Sequence, residues 1–422
     1  MEKDTTVDSS LHTVSPVVSQ ISKESDETNQ TNNHVTRPLQ PATQSKPTPS
    51  IAPSPTSNNS ASPPASSNNP SSHSYYQRIQ RLDSDVFVAC DRLTKSKYYA
   101  IKLLQLDTLD DIDFKLMTHD LQICNQLKHP NILHYLHNFV HRDQIWVVSS
   151  LCSFTSADRL SKPFGLPELA IAFIIRDTLS ALDYLHKHGL IHRSIRGSHI
   201  LVDSSGKCLL TGLRYSVNCI TEGKWRPYMH EYPLKARPNI NWFSPEILEQ
   251  NLFGYNHKSD IYSLGITCCE LANGVVPFSD LQPTEMLLDK LTGNAPRLLD
   301  QTCQELVNLK PNEMNPEDRD KYFVFRARQF STSFHTFTSG LCLNFDPQKR
   351  PNASKLLNHS FIKQIRRSPA SNLLDFLDPN HQVAREGVVC RFVKRESSSD
   401  SRSVIDSPSR SSQVSESPTA IT

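Results

Sequence analysis

Three positions in this sequence could act on a phosphate, and a fourth could not. Lys102 lies within Tyr98 to Leu104, where Tyr99, Ile101 and Leu103 take one face, so its ammonium points to the other. Arg214 carries a planar, forked guanidinium that can neutralise phosphate charge without a metal ion, and His199 could add a donor. Ser194, in His192-Arg193-Ser194, has a hydroxyl with no useful basicity near neutral pH. Other requirements of such chemistry are missing. The first glycine is Gly165, so no glycine-rich loop stands before Lys102 to bring backbone N–H groups against phosphates. The ten cysteines form no C-x-x-C pair and several sit in apolar runs, which fits reduced, buried thiols and neither zinc ligands nor a disulfide framework.

The elements that would carry these residues follow from periodicity. Alternation of period two begins near Tyr75 and recurs at Asp85 to Cys90, Tyr98 to Leu104 and Gln144 to Val148, a strand-rich first lobe over about 75–149. One helix interrupts it, with Leu109, Ile112, Leu116, Ile123 and Leu127 ending at His129-Pro130-Asn131. From Pro167 the pattern becomes helical. Leu169, Phe173, Ile174, Ala181, Leu182 and Leu185 mark a buried helix closed by Gly189, and a second runs from Ser259 to Gly274. The second lobe is expected over about 150–365, with a surface loop or insertion from Gln301 to Arg328. Residues 1–74, which lack Phe, Trp, Tyr, Gly and Cys, and residues 366–422, apart from apolar patches at 373–377 and 388–393, read as disordered tails. No secretory or membrane-spanning segment is expected, and a net charge of +2 is too balanced to suggest nucleic acid or a membrane surface as partner.

Six short motifs then occur in the order of a eukaryotic protein kinase. Ala100-Ile101-Lys102 resembles the third-strand lysine motif, His129-Pro130-Asn131-Ile132 the turn after the regulatory helix, and His192-Arg193-Ser194 the H-R-D of the catalytic loop. Ser244-Pro245-Glu246 resembles A-P-E, Asp260 to Gly265 the D-x-x-S-x-G helix start, and Asp346-Pro347 with Arg350-Pro351 the late D-P-x-x-R-P element. The resemblance implies an α+β, bilobal protein-kinase-like fold: a small antiparallel β lobe with one regulatory helix, and a larger, mainly helical lobe. It also implies structural roles for His192, Arg193, Asp260 and the pair Glu246 with Arg350. Arg193 is either a contact for a phosphorylated activation loop or a packed remnant.

The departures from that family fall on its chemistry. Ser194 replaces the catalytic aspartate, His199 the catalytic-loop asparagine, and Gly212-Leu213-Arg214 the D-F-G triplet, so Gly212 stands at the magnesium carboxylate and no metal site is expected. Arg81 to Cys90 replaces the glycine-rich loop and places Asp83 and Asp85 near the phosphates. Asp120 takes the place of the regulatory-helix glutamate and could pair with Lys102; the alternative is two solvated charges. The nucleotide expectation is ATP or ADP with little dependence on magnesium, held by Lys102, Asp120, His199 and Arg214, with adenine on Ser150, Leu151 and Cys152 and with Ser149 as a small gatekeeper. Against it stands a reading in which Arg214 pairs with a nearby carboxylate and locks a closed cleft.

Ile191 to Ser194, Ser198 to Leu201 and Gly212 to Arg214 are similar to the sterile-twenty-related adaptor pseudokinases, as are Lys258 to Ser263, Glu270 to Gly274 and Leu356 to Phe361. That resemblance implies no catalysis but allosteric activation of a serine/threonine kinase of the liver-kinase-B type, together with an armadillo-like scaffold of the calcium-binding-protein-39 family. It implies a cytoplasmic location, with the nucleus also open. Lys224, Trp225, Arg226, Tyr228, Tyr232 and Arg237 are the residue types found at binding hot spots and form the candidate docking face; an ordinary solvated loop is the alternative. The family's C-terminal Trp-Glu-Phe-like motif has no counterpart after Trp242. A weak atypical kinase and a nucleotide-independent scaffold remain as other functions. Ser-Pro or Thr-Pro pairs at Ser15, Thr48, Ser54, Ser62, Ser368, Ser407 and Ser417 are candidate phosphorylation sites.

Overall fold

The structure, a computed structural model, describes residues 69–250, 252–307, 310–385 and 388–389. Most of both tails, with six of the seven tail Ser-Pro or Thr-Pro sites, lies outside the described residues.

Five strands form the small lobe: β1 (Tyr76–Arg81), β2 (Val86–Asp91), β3 (Tyr98–Gln105), β4 (Tyr135–His141) and β5 (Gln144–Ser150), antiparallel in the order β1-β2-β3-β5-β4. Alternation sets which face each residue takes. Tyr99, Ile101 and Leu103 of β3 pack with Tyr76, Trp146 and Val148 on one face, while Ile145 and Val147 of β5 turn to the other against Met117. Lys102 pairs in register with Val147 and so shares that second face. Helix α1 (Asp111–Gln126) covers it, started by Asp110, whose carboxylate accepts from the N–H groups of Ile112 and Asp113. Sequence periodicity missed β4. Its residues Tyr-Leu-His-Asn-Phe-Val-His are an edge strand with no fully buried face, so no clean alternation marks it.

The large lobe is built on two helices. After the short α2 (Ala157–Leu160) comes α3 (Glu168–Lys187), which buries Ile171, Phe173, Ile174, Ile175, Leu179, Leu182 and Leu185. The short strands β6 (Leu190–Ile191), β7 (Ile200–Val202), β8 (Cys208–Leu210), β9 (Val217–Asn218), β10 (Ile220–Thr221) and β11 (Lys224–Trp225) follow, and then α4 (Pro245–Glu249), α5 (Lys258–Asn273) and α6 (Pro283–Leu291). Helix α5 is buried on all sides and is the axis of the lobe. The loop expected between Gln301 and Arg328 is instead partly helical. Pro316–Ala327 forms a helix capped by Asn315, whose side chain accepts from Asp318 N, and Phe325 buries beside Cys303 and Leu306. Its polar composition hid a helix that buries one aromatic position.

Glu246 at the start of α4 receives both terminal nitrogens of Arg350, at 2.6 and 3.0 Å. The guanidinium is fully buried, donates also to the carbonyls of Asn344, Phe345 and Lys258, and lies 4.9 Å from the Tyr262 ring centroid. Arg350→Met strands a buried carboxylate and is expected to cost about 3 to 5 kcal/mol in urea unfolding, with Arg350→Met/Glu246→Leu recovering more than half. A single-variant loss below about 1 kcal/mol would contradict this account of the pair.

Candidate functional site

The loop carrying His192-Arg193-Ser194 is held from below by α5. Asp260 Oδ2 accepts from His192 N at 2.8 Å and Oδ1 from Arg193 N at 2.9 Å, while His186 Nε2 lies 2.8 Å from Oδ2. Burial works against the Asp260 charge, but the hydrogen bond and charge of His186 together with the His192 contacts leave it below the usual carboxylate range. His192 donates from Nε2 to Thr211 O at 3.1 Å and accepts at Nδ1 from Ser194 N at 3.2 Å. Burial lowers this imidazole to about 4, so it is neutral at pH 7.

His199 is fully engaged by its neighbours. Its Nδ1 donates to Ser194 O at 2.7 Å and meets Ser194 Oγ at 3.0 Å, and its Nε2 accepts from Arg196 Nε and Nη2 at 3.3 and 3.2 Å. Burial, reinforced by the Arg196 charge, pushes it well below the ordinary histidine value. The donor expected of His199 for a nucleotide is therefore already committed, because Nδ1 bonds Ser194 and Nε2 bears no proton. Gly212 sits against the ring at φ 87, and a Cβ there would lie 2.5 Å from His199 Nδ1. The imidazole thus occupies the space a side chain at 212 would need. Among the described residues no group of three or more His, Cys, Asp or Glu is placed to hold a metal ion.

The groups that would meet phosphates have carboxylate partners of their own. Lys102 Nζ lies 3.7 Å from Asp85 Oδ2, and no Lys102 to Asp120 bridge forms. Asp120 instead accepts from Tyr135 OH at 2.8 Å and from Cys124 Sγ at 3.8 Å. The reason is reach: the short side chain stops at Tyr135, and burial raises its pKa although Tyr135, Lys102 and Arg214 act in the opposite direction. Arg214 Nη2 lies 3.1 Å from Asp113 Oδ1, with the guanidinium over the Tyr215 ring. Lys235 joins the same cluster, bonding Asp110 and lying 2.7 Å from Asp113 Oδ2. The amino end of α1 is thereby fastened to the segment from Gly212 to Glu246 at two places, Arg214 near its start and Lys235 farther along. Arg159 of α2 adds a contact that sequence alone gave no sign of: Nη2 reaches Asp83 Oδ2 at 3.0 Å and Nη1 reaches Leu82 O at 3.4 Å, across from large lobe to small.

Arg193 is 8% exposed; its Nε donates to Tyr215 O at 2.5 Å, and its Nη1 to Glu231 O at 3.1 Å and to Tyr255 OH at 2.9 Å. Two backbone carbonyls and a phenol thus hold this side chain within the fold. Ser149 and Cys152 are buried while Ser150 is exposed; β5 ends at Ser150 and α2 begins at Ala157, so Ser150, Leu151 and Cys152 lie where the chain passes from the sheet to the helices.

Beyond Arg214 the chain turns into the hairpin β10–β11. Lys224, Trp225, Arg226, Tyr228 and Arg237 are exposed. Tyr232 is not a free surface residue: it is half-buried and packs edge-on to Phe243. Beside Tyr228 a cavity of about 570 Å³ is lined by His230, Glu249, Leu252, Phe253, Phe345 and Gln348, with Leu252 96% and Phe253 83% exposed. Sequence reasoning missed Leu252, Phe253 and Phe345, since a few apolar residues in a polar stretch carry no periodic signal and are ordinary on a surface.

A protein kinase domain model matches residues 83–362. STE20-related kinase adapter protein alpha of Mus musculus is 40% identical over 303 residues, covering 67% of this chain and 70% of that one. The chain belongs to the STE20-related kinase adapter family. The human alpha protein is 39% identical over the same length, and the human beta protein 35% over 301 residues, covering 66% of this chain and 72% of that protein. Both names call these relatives adapters.

Two outcomes follow for this site. Gly212→Asp is expected to lower stability by about 1 to 3 kcal/mol, from a left-handed backbone and the His199 clash, and combining it with His199→Asn should restore at least about 1 kcal/mol of coupling. Additive losses in a thermal double-variant cycle would show that the ring does not fill that space. In the second, the His192 pKa is lower folded than unfolded, so its contribution is complete above about pH 6.5 and is lost as pH falls toward 4. Between pH 7 and 5, His192→Gln should lose about 2 kcal/mol less stability than the parent chain; equal losses would remove His192 as the cause.

Proposed function

We propose that the chain is a non-catalytic adaptor that binds a partner serine/threonine kinase and raises its activity. The observation that carries this reading is the His199 imidazole packed on Gly212, which occupies the position from which a carboxylate would hold magnesium. With Ser194 in place of a base, neither metal nor proton acceptor is supplied to a phosphoryl transfer. The names of the adapter relatives support the same reading.

The partner is of the liver-kinase-B type, joined by an armadillo-like scaffold of the calcium-binding-protein-39 family. It docks on the exposed Trp225, Arg226 and Tyr228 and the adjoining apolar surface of Leu252, Phe253 and Phe345. Activation is a population shift, in which a partner that recognises the closed lobes gains from every contact that already closes them. Arg159 with Asp83, and Asp110 and Asp113 with Lys235 and Arg214, are such contacts. ATP or ADP adds to them without magnesium, its adenine on Ser150 to Cys152 and its phosphates drawing Lys102 from Asp85 and meeting Arg214 while Arg214 keeps Asp113.

The same ion pairs favour a second reading, a scaffold closed by its own carboxylates without nucleotide. Thermal melting with ATP and EDTA separates the two. Saturating ATP is expected to raise the melting temperature by about 3 °C or more, and Arg214→Ala to abolish the rise. No shift would leave the nucleotide-free scaffold. Reconstitution with the partner kinase and scaffold tests the adaptor role: turnover should rise with this chain and fall at least about tenfold with Trp225→Ala/Tyr228→Ala. Labelled phosphate transferred by this chain alone, and lost in Lys102→Ala, would sink the proposal.

A further inference from the structure

Past its last α-helix the chain does not leave the fold. Leu373 is fully buried and Leu377 is 6% exposed, both within the large-lobe core. Just before Leu373 the backbone presses on the β7–β8 turn, where a Cβ on Gly206 would come within 2.3 Å of Ala370 O. Further on, Gln382 forms an antiparallel bridge with Phe154, and Val383 N donates to Ser153 O at 2.6 Å, with Val383 1% exposed. The other edge of that linker is already bonded to β7, Phe154 N to Val202 O and Val202 N to Thr155 O. Residues 370–383 are therefore a strap that ends in a single antiparallel bridge to the segment following β5.

Ser368 is where the strap begins. Its N–H bonds Ile365 O and its carbonyl accepts from Arg176 Nη1 of α3 at 3.3 Å, while its half-exposed hydroxyl has no partner among the described residues. Arg176 also holds Asp177 Oδ1 through Nε and Nη2, both at 2.9 Å, so the guanidinium is fixed with one nitrogen directed at the Ser368 backbone. Exposed Arg366 and Arg367 precede Ser368, and exposed Pro369 follows.

We propose that Ser368 is a phosphorylation site for a proline-directed kinase, and that its phosphate, gripped by Arg176, Arg366 and Arg367, tightens the strap on the linker behind the hinge. In the modification the γ-phosphoryl of ATP held by that kinase passes to Ser368 Oγ. The new O–P bond forms as the bond to the ADP oxygen breaks, and the hydroxyl proton leaves to the kinase's carboxylate base. The product adds a charge near −2 and three acceptor oxygens next in sequence to Arg366 and Arg367 and close to Arg176, whose guanidinium already bonds the Ser368 carbonyl, an arrangement that orders a segment.

The test uses the full chain. It is incubated with a proline-directed kinase and ATP, the phosphorylated positions are mapped by peptide mass spectrometry, and amide hydrogen exchange is compared before and after, with Ser368→Ala as control. Phosphate is expected on Ser368, with exchange in 370–383 and 150–154 slowed at least about threefold. In Arg176→Met the slowing should vanish, and in Arg176→Lys, which keeps a charge without the fork, it should fall below half. Failure of Ser368 to accept phosphate overturns the proposal, as does exchange that is unchanged or faster on phosphorylation, or slowing that persists in both Arg176 variants.

Discussion

One buried carboxylate sets the position of everything that could be called a site. Asp260 stands fully buried near the start of α5, in a lobe core of aliphatic side chains, and its charge is tolerable because two backbone N–H groups and the His186 imidazole converge on it. Those N–H groups belong to His192 and Arg193. Fixing them fixes the direction of the next six residues, and from there follow the Ser194 carbonyl that receives His199 and the Arg193 fork that receives the returning segment.

The consequence is a loop whose shape survives without the groups that transfer phosphate. An imidazole at 199 needs a residue without a side chain at 212, and a glycine at 212 leaves room for an imidazole, so each substitution is structurally compatible with the other. Restoring a carboxylate at 212 alone would meet the ring before it met a cation. The two changes are best read as one packing arrangement.

A second arrangement joins the lobes. Helix α1 gathers Asp110 and Asp113 at its positive end, where carboxylates are favoured by the helix dipole and by capping, and these same groups hold Lys235 and Arg214. Each pair is solvent-screened and contributes little alone. Together with Arg159 and Asp83 they span the cleft at two separated places, so the holding comes from their placement more than from any one bond.

Much was legible without coordinates wherever the signal is local. Alternation in β3 and β5, the apolar runs of α3 and α5, and the order of the short motifs gave the two lobes, because periodicity and turn chemistry act over a few residues. The edge strand β4 and the helix at Pro316–Ala327 escaped, since neither has a continuous buried face to imprint a pattern. Residue identity alone also determined which chemical groups are present: a serine, a histidine and a glycine at 194, 199 and 212. What each charge does was decided only by the tertiary structure. Lys102 meets Asp85 and not Asp120, Arg214 meets Asp113, and Leu373 and Val383 bring the chain back to the linker behind the hinge, because ion pairs and packing partners are chosen by distances between segments far apart in sequence.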